Sequence, residues 1–145
     1  MDDWLGMEAD VGQPIQALIV PHAGYIYSGQ VAAAAFRHLK SQADRIHRVI
    51  MIGPSHRFHF PGCALSAVDF FSSPLGDIPL DSDGAETLKR LDGVEISDQA
   101  HAVEHCLEVQ LPFANLPEAV YVVADPDGRG VTCCGGETVR YIVAE

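Results

Sequence analysis

Two histidines stand just beyond apolar runs that end in rigid loops: His22 in Pro21-His22-Ala23-Gly24-Tyr25, and His56 in Gly53-Pro54-Ser55-His56. An imidazole nitrogen is a ligand for zinc, copper and iron alike, so two imidazoles brought to one point could share a divalent ion. The proline and glycine neighbours restrict each loop and leave the rings little freedom to lose on binding. Taken singly, each histidine is as well explained by a hydrogen bond to loop backbone. Their matching positions set the shared-metal reading beside that plainer one.

A third feature is His101-Ala102-Val103-Glu104-His105, which matches the HxxEH pattern of inverted zinc metallopeptidases. On a helix, His101 and His105 would share a face at i and i+4, and Glu104 would serve a metal-bound water as general base. Such an enzyme also needs a downstream acidic ligand, for which Glu108, Glu118, Asp125, Asp127, Glu137 and Glu145 are available. The match is short, and short motifs recur by chance. Cys133-Cys134-Gly135-Gly136 lacks the spacing of a zinc or thiol-redox site, and the nearby glycines form no phosphate-cradling loop. Surface or capping roles are expected for His38, His47 and His59.

The elements that must position these groups follow from apolar periodicity and chain breakers. Residues 15–20, Ile-Gln-Ala-Leu-Ile-Val, predict a core strand ending at Pro21. Ser28 is a candidate N-cap for a helix over 29–40, with Val31, Ala35, Phe36 and Leu39 at helical spacing. Arg48 to Ile52 predicts a second buried strand before Gly53-Pro54. Strand, helix and strand in that order form a right-handed βαβ unit, which leaves both strands parallel with their carboxyl ends on one sheet edge. That edge is where ligands bind in open α/β sheets, and His22 and His56 both follow it.

Downstream, Cys63 to Phe70 is a strand candidate, Ser82 a cap for a helix through Leu91, and Val94 to Ser97 a short strand. Residues 102–115 predict a helix that Pro112 would distort or end. Ala119 to Ala124 predicts a strand, Asp125 to Gly136 a glycine-rich loop, and Thr138 to Val143 a last strand. No internal repeat or linker interrupts this pattern, so a single domain over 1–145 is expected.

Composition narrows the function classes. Of 145 residues, 20 are acidic and 9 are Lys or Arg, for a formal charge of -11. That balance opposes capture of nucleic acid or an anionic membrane surface. The acidic N-terminus lacks the form of a secretory signal, and no apolar run nears the roughly 20 residues needed to cross a bilayer. Four cysteines without CxxC spacing fit reduced thiols, so a cytoplasmic protein is expected.

Three blocks together, Val20-Pro-His-Ala-Gly-Tyr-Ile-Tyr-Ser-Gly29, Ile52-Gly-Pro-Ser-His56 and Glu104-His-Cys-Leu-Glu-Val-Gln-Leu-Pro-Phe113, resemble in order and spacing the signature of the Memo family. This family includes the B component of the AmmeMemoRadiSam system and is similar in fold to class III extradiol dioxygenases. The resemblance covers about residues 15–116. It implies an α/β layered sandwich with a mainly parallel central sheet flanked by helices. It further implies that His22 and His56 are metal ligands and that His105 is the acid or base of the pocket. The HxxEH match then becomes incidental. Iron(II) is the implied metal, with copper or zinc as other fits, and the implied chemistry is oxidative and dioxygenase-like. Implied partners are a small-molecule or peptide ligand and other AmmeMemoRadiSam proteins; a second copy of the chain is a further expected partner, because a shortened sheet would leave an edge strand uncovered.

The sequence departs from the family's pattern in lacking its N-terminal block and its long C-terminal region, which normally supplies a third ligand. Residues 117–145 form a divergent tail, in which Cys133 or Cys134 is a candidate substitute. Cys106 replaces the serine expected after the pocket histidine. A non-catalytic binding module and an inactive fragment stable only as an oligomer are therefore alternative expectations.

Overall fold

A computed structural model describes residues 15, 17–113, 119–125 and 141–144, the last two segments as backbone only. In chain order the elements are β1 (Ala17–Ile19), α1 (Tyr25–Phe36), a 3-10 helix (Arg37–Arg45), β2 (Val49–Pro54), β3 (Gly62–Leu65), β4 (Phe70–Ser73) and β5 (Gly76–Pro79). There follow α2 (Ser82–Leu88), β6 (Val94–Ile96), α3 (Asp98–Ala102), a second 3-10 helix (Glu108–Phe113), β7 (Ala119–Asp125) and β8 (Tyr141–Ala144).

Six strands form the central sheet in the order β1-β8-β2-β7-β3-β6, and β4 pairs with β5 in a separate hairpin. Strand β8 runs antiparallel to both β1 and β2, so β1 and β2 are parallel to one another but not adjacent. Their carboxyl ends lie on the same edge, as the βαβ pattern requires. The expected α/β class holds. Within the sheet, pairing is mixed: β2·β7 and β3·β6 are parallel, while β1·β8, β2·β8 and β3·β7 are antiparallel.

Alternation along the strands shows why both faces are covered. Val49 and Met51 of β2 and Ala64 of β3 pack with Ala32, Ala33 and Phe36 of α1 in one core. Ile50 and Ile52 of β2 join Leu65, with Ala85 and Leu88 of α2, in the other. Successive side chains point to opposite faces of a strand, so one apolar run feeds two layers. The result is helices on both sides of a sheet. No helix among the described residues is long and apolar enough to cross a membrane.

Several elements differ from the sequence expectation. Helix α1 begins at Tyr25 after an N-cap at Gly24, four residues before the expected start. Ser28 lies inside it, buried, and donates its hydroxyl to the Ala23 carbonyl at 2.7 Å. The core face of α1 is Ser28, Gly29, Ala32, Ala33 and Phe36, while Val31 is exposed. Small residues let the helix approach the sheet closely, so the face was not the most apolar one by composition. Asp81, not Ser82, caps α2 by accepting from the Gly84 N–H at 2.8 Å. The strand expected over 63–70 stops at Leu65, and Phe70 opens the hairpin instead. The helix expected over 102–115 is replaced by a turn and the 3-10 segment holding Pro112. The glycine-rich loop after Asp125, the tail cysteines and residues 138–140 lie outside the described residues.

Candidate metal centre

His22 lies three residues beyond β1 and His56 two beyond β2, so two parallel strands deliver both rings to one sheet edge. Their Nε2 atoms are 3.1 Å apart and the ring centroids 5.0 Å apart. The His105 ring joins them, with centroids 5.3 Å from His56 and 6.2 Å from His22. The three histidines singled out from sequence therefore converge. His22 is buried, whereas the His105 side chain is 47% exposed and forms the open side of the cluster.

Glu104 organises this cluster. Its Oε1 lies 2.8 Å from His56 Nδ1, and its Oε2 accepts from the His56 backbone N–H at 2.7 Å. Oε1 also accepts from the backbone N–H groups of His105 and Cys106, both at 3.0 Å. Burial acts to raise the Glu104 carboxyl, but donation from the His56 backbone and ring, and from Cys106, outweighs it and holds the carboxyl below its usual range. An ionised Glu104 selects the His56 tautomer that carries its proton on Nδ1 and presents a lone pair at Nε2.

That tautomer permits a fit test for a metal. Two nitrogens bound to one ion at about 2.1 Å, with an angle between octahedral and tetrahedral, lie about 3.0–3.4 Å apart. The observed 3.1 Å falls in that interval, and on His56 the atom that faces His22 is the ring nitrogen opposite the one Glu104 holds. His56, Glu104 and His105 also form a group whose possible ligand atoms lie within 4.8 Å of one another. Glu104 is already committed to four N–H groups, so the histidine nitrogens are the better donors.

The loops are held from behind. Gln110, 1% exposed, donates its amide to the Pro21 carbonyl at 3.0 Å, just before His22. Cys106, fully buried, places Sγ 3.2 Å from the Pro54 carbonyl, just before the His56 loop. The buried Ser55 hydroxyl donates to the Phe58 carbonyl. Sequence reasoning named none of these as loop supports, although all lie within or beside the three blocks.

His101 does not join the cluster. Helix α3 ends at Ala102, so His101 and His105 do not share a helical face. The His101 Nε2 instead lies 3.1 Å from the Ala64 carbonyl, and its ring lies 6.0 Å from that of Phe71. Burial pushes its pKa down, against the Ala64 carbonyl and the charges of Asp98 and Glu104. With Glu104 turned to His56, the inverted-peptidase geometry is not formed.

With this geometry in place, comparison with known proteins is decisive for family. The model of the family described as Memo-like protein matches residues 3–123. The chain belongs to the Memo family. That match extends both ends of the stretch marked by the three blocks. Protein MEMO1 of Xenopus tropicalis is 37% identical over 114 residues, covering 78% of this chain and 38% of that protein. A MEMO1 family protein of Ignicoccus hospitalis is 45% identical over 96 residues, covering 66% and 33%. Protein MEMO1 of Homo sapiens is 35% identical over 114 residues, again covering 78% and 38%. The chain thus spans about a third of the length of these Memo relatives.

Proposed function

We infer that this chain carries the metal-binding part of a Memo-type site, in which His22 and His56 hold a divalent metal and His105 moves a proton beside it. The observation that carries this reading is the 3.1 Å separation of the His22 and His56 Nε2 atoms, with His56 Nδ1 committed to Glu104. Iron(II) is the first choice for two imidazoles plus one further ligand with open positions, and copper or zinc are the other fits. Such an ion would supply Lewis acidity and, for iron or copper, a route for electrons from a bound substrate to dioxygen.

The chain's own residues do the positioning. Glu104 orients His56 and the loop that carries it, while Gln110 holds the carbonyl before His22. His105 keeps an exposed ring that would hold or deliver a proton at a substrate atom. Cys133 or Cys134 is proposed as a further ligand, and a thiolate there would favour copper. The activity proposed is oxidative and dioxygenase-like. The same reading extends to a small-molecule or peptide ligand, to partner proteins of the AmmeMemoRadiSam system, and to self-association.

The test is anaerobic reconstitution with iron(II), copper(I) and zinc in turn, with bound metal per chain measured by mass spectrometry. One metal in the wild type, lost in a His22→Ala, His56→Ala double variant, is the expected result. Equal metal in both, or none in either, would overturn it.

A further inference from the structure

Next to the histidine cluster lies a half-open cavity of about 400 Å³ whose lining includes Glu104 but not His22, His56 or His105. That volume suits a small organic ligand. Among the described residues its polar wall carries the carboxylates of Asp98, Glu104 and Glu108 beside Ser66, Ser72 and His101, and no Lys or Arg. Its apolar wall is formed by Phe71, Leu107 and Leu111, the two leucines buried.

The carboxylates are held in place by the fold. Asp98 Oδ1 accepts from the Ala67 N–H at 2.8 Å and from the Ser66 hydroxyl at 2.7 Å, and these donors keep its carboxyl below the usual range. Glu104 has both oxygens occupied by donors and contributes its charge rather than a vacant lone pair. Glu108 is exposed at the rim. Three negative groups around an apolar wall repel an anionic ligand and attract a cationic one, and the Phe71 ring adds apolar surface for the body of that ligand. A bare metal ion would leave the apolar wall unused.

We propose that this cavity binds a small organic amine, its protonated nitrogen among Asp98, Glu104 and Glu108 and its apolar body against Phe71, Leu107 and Leu111. The site stands independently of metal at the histidines. It shares Glu104 with them, so an amine bound here would also be felt at the His56 ring.

The test uses the full chain, followed by two-dimensional amide NMR during titration with tryptamine and with its acidic counterpart, indole-3-propionate. Tryptamine is expected to give saturable shifts at Ala67, Asp98 and Leu107, with affinity at least about tenfold above that of the acid. Glu108→Gln should weaken tryptamine about two- to fivefold, the range for a partly exposed charge pair. Ser72→Lys, which adds a cation to an exposed position of the lining, should weaken it by at least about tenfold. Equal binding of amine and acid, no saturable shift, shifts confined to residues away from the cavity, or an unchanged affinity in Ser72→Lys would each overturn the proposal.

Discussion

Glu104 grips His56 twice, accepting from its backbone N–H at 2.7 Å and from its ring Nδ1 at 2.8 Å. One carboxylate thereby sets both the loop and the ring orientation. A Glu104→Gln variant keeps the size but replaces one acceptor by a donor facing N–H groups. Metal affinity is expected to fall about 10–100-fold, the usual effect of losing the partner behind a ligating histidine. Competition against a chelator measures it, with far-UV circular dichroism checking the fold; wild-type affinity would show that another group orients the ring.

His22, His101 and His105 separate by role. His105→Ala should retain one metal per chain, because the two Nε2 atoms that face one another belong to His22 and His56. His101→Gln should also retain it, because His101 is turned to the Ala64 carbonyl. His22→Ala should not. Metal analysis of the single variants decides, and loss of metal in His101→Gln would restore the HxxEH reading.

Acid stability follows from the lowered carboxyls. Glu104, Asp81 and Asp98 each sit below their ordinary values in the folded chain. The unfolded chain therefore takes up these protons first, and the stabilisation is present above about pH 4.3 and lost as pH falls through the folded pKa values. The urea midpoint of the metal-free protein should decline gently below about pH 6.5, where the unfolded chain protonates His101 first, and drop further below about pH 4. Glu104→Gln should make that drop shallower, and an unchanged slope would remove Glu104 from the account.

Asp81 caps α2 through Gly84 and pairs with Arg48, whose side chain is 44% exposed. The exposed partner limits what the ion pair adds, so most of the cost of Asp81→Ala should come from the lost cap, about 1–2 kcal/mol. Asp81→Asn keeps a capping oxygen and should recover most of it. Urea unfolding of both variants measures the difference.

Gly62 has φ +87°, and a Cβ there would lie 2.1 Å from the Gly93 carbonyl oxygen, where β3 meets β6. Gly62→Ala should cost about 2 kcal/mol or more. Gly76, at φ +126° where β5 begins after the β4–β5 turn and with open space around it, should cost less on the same change. Equal costs would place the penalty in backbone conformation alone.

Much of the site was legible in the chain because its signals are local. Apolar runs ending at Pro21 and at Gly53-Pro54 mark where β1 and β2 stop, and His22 and His56 follow those stops directly. A strand-helix-strand order then orients both exits to one edge, whatever lies between the strands. The blocks around the three histidines also carry enough specificity to indicate the family.

Tertiary pairing settled the rest, because it joins residues far apart along the chain. Nothing local places β8 between β1 and β2, since hydrogen bonding between strands carries no sequence-specific mark. The face that α1 buries depended on how near the sheet would come, which favoured Ala32 and Ala33 over Val31. The local reading of Glu104 was as a general base on a helical motif. Ending α3 at Ala102 swung its carboxylate away from an i, i+4 histidine pair and onto His56, 48 residues earlier in the chain.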